Sequence, residues 1–423
     1  MKNKSLTCNV PELRFSEFKD EPEWKEKPLG KCLLKHPDYG VNAAAVPFSE
    51  NLPTYLRITD ISVDGYYLSN EKVSVDIDAT SDNYLEDGDI VLARTGASVG
   101  KSYKYRKEDG ALVFAGFLIR VKPDKKKLNS DLLFHFLSTD KYWSWVNITS
   151  ARSGQPGING NEYASLLVPI PATLEEQQKI ADCLSSIDNL ITAQSKKVEA
   201  LKEHKKGLTQ QLFPTDGEKV PKRRFPEFLN DGEWEEKPLS KVGEIITGST
   251  PATANLENYG GSKLFVSPAD ISDTRYITTT KTTLSEQGFM QTRHIKANSI
   301  LFVCIGSTIG KVAQNKFDCA TNQQINSIVP FDEYSNDFIY SALENSSSRI
   351  ASLAGNHAVP IINKTFFSSV LISCPLLPEQ QKIADFLSSI DNLITAQSKK
   401  IETLKEHKKG LMQQLFPSNN IKG

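Results

Sequence analysis

With 423 residues, 39% of them hydrophobic and 24% charged, the chain is long enough for several domains that each bury a core, and its composition excludes a disordered polymer. A formal net charge of −1 excludes a protein that coats nucleic acid through bulk positive charge, so any nucleic-acid binding must use local patches. Six cysteines without a CxxC and six histidines without zinc-like spacing point away from a structural metal and towards a reducing, cytoplasmic setting. The polar N-terminus does not read as a signal peptide, and no apolar run approaches the roughly 20 residues that cross a bilayer, so no membrane partner is expected.

The chain opens on Val10-Pro11, Arg14-Phe15, Glu23-Trp24 and Lys27-Pro28-Leu29, a set that returns later. Asp89 to Ala93 reads as a buried strand and Asp131 to Trp145 as a helix, which makes the first globular part α+β. Between them lies Thr95-Gly96-Ala97-Ser98-Val99-Gly100-Lys101-Ser102. Its glycines are separated by three residues where a P-loop needs four, so a nucleotide-binding enzyme is not expected. Such a turn can present backbone N–H groups, Ser98 and Lys101 to a DNA phosphate, or it can simply connect two strands. From Lys101 to Lys107 basic and aromatic residues alternate. A strand there would place Lys104 and Arg106 on one face, suited to a DNA backbone or to a solvated edge. Arg57, Arg94, Arg152, Gln155, Asn159 and Asn161 complete the candidates for DNA contact, because Arg, Asn and Gln pair donors and acceptors in the geometry of guanine and adenine edges.

A long helix follows. Ile180, Leu184, Ile187, Ile191, Gln194, Val198, Leu201, Lys205, Leu208 and Leu212 step alternately by four and three, which is a coiled-coil seam. Glu175 and Glu176 suit its first turn and Phe213-Pro214 its end. About 35 such residues span about 50 Å, the length of a rigid spacer.

The second half repeats the first. Val220-Pro221, Arg224-Phe225, Glu233-Trp234 and Lys237-Pro238-Leu239 restate the opening set, and residues 379–417 restate residues 176–214 with four differences, Cys183/Phe386, Val198/Ile401, Ala200/Thr403 and Thr209/Met412. Between these anchors the halves diverge, yet Asp60-Ile61-Ser62 is answered by Asp270-Ile271-Ser272 and the first glycine turn by Gly306-Ser307-Thr308-Ile309-Gly310-Lys311. Ser299 to Val303 is the matching strand and Asp337 to Leu353 the matching helix. Here the candidate contacts are Arg275, Arg293, Ser307, Thr308, Lys311, Asn322, Gln323, Gln324, Asn326, Asn356, His357, Asn363 and Lys364. One fold with two different surfaces is the economical reading, the like parts meeting one partner twice and the unlike parts two different ligands. The two seams favour antiparallel pairing, because a parallel pair opposes Lys205 to Lys408, whereas an antiparallel pair sets each lysine against an isoleucine layer. The expected domains are 1–172, the helix 173–214, 215–376, the helix 377–417, and a tail 418–423.

The chain holds no Pro-Pro dipeptide, GxGxxG, HExxH or GxSxG, so no methyl-transfer, metalloprotease or esterase machinery is expected, and a recognition subunit of a larger enzyme fits better. A helix-tethered protein-binding scaffold is the alternative. Two variable globular parts, each followed by a repeated helix, with Pro378-Glu379-Gln380-Gln381-Lys382-Ile383-Ala384 at one helix start and Gln-Leu-Phe-Pro at both helix ends, resemble the specificity subunits of type I restriction–modification enzymes. The resemblance covers nearly the whole chain. It implies two α+β target-recognition domains joined by an antiparallel coiled coil, a two-part double-stranded DNA target, two adenine methyltransferase subunits and optional restriction–translocation subunits. S-adenosylmethionine, ATP and Mg2+ would then belong to the partners, with no cofactor bound by this chain.

Overall fold

The computed structural model describes residues 10–151, 154–272, 274–354 and 360–417. They form two compact units, Met1–Ala193 with Ile401–Gly423, and Gln194–Lys400. Each unit therefore holds one globular domain, the start of the helix that follows it, and the end of the other long helix.

In the first unit a four-stranded antiparallel sheet runs Asp38–Tyr39, Leu118–Val121, Ile90–Ala93, Ser102–Lys104, with the strand predicted at Asp89 to Ala93 near its centre and fully buried. A second sheet runs Ala45–Pro47, Val73–Val75, Thr54–Leu56, Leu112–Phe114, its last pair parallel. The second unit keeps this plan. Its five-stranded sheet is Gly243–Thr247, Ile325–Pro330, Ile300–Val303, Val312–Asn315, Tyr276–Ile277, and its four-stranded sheet is Thr282–Leu284, Tyr259–Val266, Cys319–Thr321, His294–Ile295. The helix expected over Asp131 to Trp145 is split into Ser130–Phe136 and Asp140–Thr149, because Thr139 caps a new start by accepting the Tyr142 N–H. Its counterpart in the second unit is uninterrupted, Asn336–Ser352.

The repeated anchors build a socket for the helix. Lys25–Pro28 pairs with Leu167–Ile170, and Glu235–Pro238 with Leu371–Cys374, which brings each opening segment beside the start of its own long helix. The central helix is Leu174–Leu212 and the C-terminal helix Leu377–Leu415. Glu176, fully buried, accepts from Arg14 at 2.7 and 2.8 Å and from the Trp24 indole at 3.1 Å. Glu379 accepts from Arg224 at 2.8 and 2.7 Å. Two more guanidinium bonds go to the carbonyls of Glu21 and Pro22, or of Asp231 and Gly232, so each buried cation makes four hydrogen bonds. The adjacent Gln177 and Gln380 are also buried, accepting the N–H of Asn129 and of Ser335.

The helix ends are held as firmly. In the first unit Phe416 packs edge-on to Trp24, and Leu13 donates its N–H to the Gln414 carbonyl at 3.0 Å. In the second Phe213 lies edge-on to Trp234, and Arg223 donates to the Gln211 carbonyl at 2.9 Å. Within the first unit Ile180 and Leu184 share a core with Met412 and Leu415, and further along the helices Asp188 meets Lys408 at 2.7 Å, so the two helix segments run antiparallel. Within the second, Leu212 shares a core with Ile383 and Leu387 while Lys205 meets Asp391 at 2.7 Å, again antiparallel. Each seam lysine thus reaches the aspartate next to an isoleucine layer, Ile187 or Ile390. Burial works against the charge on Lys205, but Glu344 and Asp391 outweigh it and raise its pKa. Beside the Asp188 pair, buried His135 is pushed down to about 3 by burial and by Lys408, Lys104 and Arg106, and stays neutral. No helix among the described residues is long and apolar enough to cross a membrane.

Replacing Glu176 by Ala strands the Arg14 guanidinium in a buried place and removes the Trp24 acceptor. The expected cost is about 3–5 kcal/mol, read as a lower urea midpoint, and a loss below about 1 kcal/mol would show that the pair does not hold the helix start.

Candidate nucleic-acid interface

In each unit three loops at the strand ends are sewn together by main-chain hydrogen bonds. In the first, Gly96 N–H bonds to the Pro156 carbonyl (3.0 Å), Ile158 N–H to that of Arg94 (2.9 Å), and Arg94 N–H to that of Phe117 (3.1 Å). In the second, Gly306 N–H bonds to Pro360 (3.1 Å), Ile362 N–H to Cys304 (2.8 Å), and Cys304 N–H to Gln324 (2.8 Å). The two rims have one backbone design and different side chains. The glycine turns serve this design. Gly96 and Gly100 both have positive φ, and a Cβ on Gly100 would come within 2.7 Å of Val146, so the turn's glycines answer to backbone conformation and helix packing. Of the two uses open to this turn, the Gly96 and Gly100 N–H groups serve the connecting one, bonding to the Pro156 and Ala93 carbonyls.

Several candidate cations are likewise committed within the fold. Lys101 Nζ donates to the Ile61 carbonyl at 2.6 Å and Lys311 Nζ to the Ile271 carbonyl at 3.0 Å, the same tie in both units. Arg57 forms a fork on Asp60, at 2.7 Å for the nearest pair, and closes a short 3-10 turn. Lys104 pairs with Asp131, and Arg106 lies over the rings of Tyr66 and Phe134 with its Nη1 near the carbonyls of Gly65 and Lys104. Ser102–Lys104 is the edge strand of its sheet and ends before Arg106, so the alternating segment is a guarded edge.

Arg275 is buried. Its guanidinium meets Asp337 at 2.6 Å, Ser388 at 2.8 Å and Asp391 at 3.4 Å, between the rings of Tyr276 and Tyr340, and so binds the domain to the C-terminal helix. Asn326 is buried too, donating to Cys304 Sγ and accepting from Thr247. Asn159 and Asn363 are helix N-caps, and Asn161 meets His36 Nε2 at 2.9 Å.

The rims collect the rest. Arg94, half-buried, lies 4.9 Å over the Tyr39 ring, and Ser98 and exposed Gln155 stand on the loops beside it. In the second unit Ser307 and Thr308 occupy the glycine turn, and Asn322 and Gln324 hydrogen-bond one another. Exposed Gln323 accepts from Thr250 at 2.7 Å, and exposed Arg293 donates to the Thr247 carbonyl at 2.8 Å. Lys364 is exposed with no acidic partner among the described residues. Arg152, Asn356 and His357 lie outside the described residues. Among those described, no group of three or more His, Cys, Asp or Glu is placed to hold a metal.

The family model for the type I restriction modification DNA specificity domain matches residues 41–203 and 231–406, one copy over each domain and its helix. The chain belongs to this family. It is 39% identical over 147 residues to the HindI specificity subunit of Haemophilus influenzae, covering 34% of this chain and 32% of that one. It is 23% identical over 386 residues to the MjaVIII specificity subunit of Methanocaldococcus jannaschii, covering 85% and 87%. Among solved structures, the S subunit from M. genitalium shares the fold, with a TM-score of 0.62 at 14% identity over 97% of this chain and 99% of that one. As a specificity-domain protein the chain thus carries two copies of one module, whose rims keep matching backbone ties while side chains such as Phe117 and Gln324 differ.

Sequence reasoning missed Tyr39, Phe117 and Thr250. Phe117 is 60% exposed on the rim, and the one signal for it was an aromatic directly after Gly116 at the end of a strand. The committed and free lysines make different predictions. Lys101→Ala should leave the salt dependence of DNA affinity unchanged, whereas Lys364→Ala should flatten it by about one counterion. Affinity measured across a salt series checks both, and the opposite pattern would return Lys101 to the DNA backbone.

Proposed function

We propose that the chain reads a two-part double-stranded DNA sequence, one half through each rim, as the specificity subunit of a type I restriction–modification enzyme. The observation that carries this reading is the contrast between unlike rims and like helices on two copies of one module. A duplicated scaffold kept for packing alone gives no reason for a rim that carries Arg94, Phe117 and Gln155 on one copy to carry Ser307, Gln324 and Lys364 on the other. Base edges in a major groove ask for such sets of Arg, Gln, Ser and apolar groups.

The partners we propose are two methyltransferase subunits acting on adenine, joined, where the system restricts, by two restriction–translocation subunits. S-adenosylmethionine, ATP and Mg2+ would act on those subunits, in the cytoplasm. Much of the repeated helix identity is used inside the chain, as at Glu176 and Glu379. What is left over supports the partner argument. Asp182, Ser186, Asn189, Leu190 and Ala193 form an exposed stripe, repeated as Asp385, Ser389, Asn392, Leu393 and Ala396, and Leu190 and Leu393 are each 52% exposed. Packing within the chain does not require two identical outward leucines.

Two outcomes follow. Selection from randomised duplexes with the full chain and its methyltransferase should yield two short conserved blocks at a fixed gap; no enrichment would favour a protein-binding scaffold. Light scattering should give one chain to two methyltransferase subunits, and Leu190→Asp should remove one of the two; a one-to-one complex at saturation would refute the paired surfaces.

A further inference from the structure

We propose that Phe117 is a sequence-reading residue of the first unit and that its ring recognises the C5-methyl group of a thymine in the major groove. The proposal rests on the DNA-reading role proposed above and names the base feature that one rim position meets.

The ring has no structural task that burial would reveal, being 60% exposed at the tip of the turn after Leu112–Phe114. Its backbone, by contrast, is fixed. Ala115 N–H bonds to the Leu56 carbonyl at 3.0 Å, Gly116 N–H to that of Val41 at 2.7 Å, and Leu118 N–H to that of Ala115 at 2.8 Å. The Phe117 carbonyl accepts the Arg94 N–H at 3.1 Å, and the Arg94 guanidinium, stacked on Tyr39, reaches the Gly116 carbonyl at 3.4 Å. A ring on so braced a turn loses little freedom when it meets a ligand, which is the condition under which a small apolar contact yields affinity.

The neighbours set the ligand's chemistry. Arg94 and Gln155 share the rim and suit phosphates and base edges, so an apolar ring among them calls for an apolar feature within a polar target. The major groove offers one, the thymine methyl. The second unit supports this by difference. Its turn places Gln324 where the first has Phe117, each carbonyl accepting the N–H of the residue that follows the matching central strand, and Gln324 is tied to Asn322 and to the Ile305 carbonyl. One module presents a ring at this point and the other an amide, as expected if the position reads different bases in the two half-sites.

The test uses the full chain with its methyltransferase, bound to duplexes carrying the selected two-part site, with each thymidine replaced in turn by deoxyuridine so that only the methyl is lost. One replacement in the first unit's half-site should weaken binding about fourfold, the worth of one buried methyl. Phe117→Ser should lose the same affinity on the thymidine duplex and become indifferent to that replacement. Unchanged preferences in the other half-site report that the variant is folded. The proposal is overturned if no replacement matters to the wild-type chain, or if Phe117→Ser stays sensitive to the same one. A wild-type complex with no sequence preference would instead overturn the DNA-reading role along with it.

Discussion

Each domain is fixed to its helix by one carboxylate that has no access to water. Glu176 and Glu379 sit in the first turn of their helices and are each gripped by an arginine from a segment more than 150 residues away in sequence. A carboxylate placed there without its guanidinium would be strongly destabilising, so the opening segment, the two-stranded ribbon and the helix start must form together or not at all. The phenylalanine that ends each helix completes the arrangement, because Phe416 enters the first unit's core and Phe213 the second's. Each unit is thereby built from both ends of the chain's repeat, and neither long helix belongs to one unit alone.

That constraint separates what can vary from what cannot. The rims lie on loops whose backbone is tied at matching points, so their side chains change without loss of support. Closer to the helices, change is compensated. In the first unit Lys104 pairs with Asp131, while in the second Gln314 stands on the matching strand, now covered by Tyr276–Ile277, and Arg275, just before that added strand, reaches Asp337. The acidic partner is kept and the cation is supplied from elsewhere, so each aspartate keeps a charged partner.

The long helices were legible because a seam of period 3.5 has few other uses, and their observed limits fall within two residues of the expected ones. The α+β class was legible from the buried central strands. The fate of individual polar side chains was not. Lys101 and Lys311 look like phosphate ligands beside a glycine turn, yet each is claimed by a carbonyl 40 residues earlier. Arg275 looks like a base-reading arginine, yet it is claimed by a helix more than 100 residues later. Hydrogen-bond partners at such separations leave no local mark in sequence. The repeated segments also misled in part, since identity that suggested one shared partner is used first to dock the chain on itself.

The central claim is that two unlike rims read two halves of one DNA site. Sequencing that maps modified bases in the genome of the host, with the gene intact and deleted, tests it most directly. The account predicts one two-part motif with a fixed gap, modified in every copy when the gene is present and unmodified when it is absent. A modification pattern unchanged by deletion, or a lost motif that is one continuous block, would contradict it.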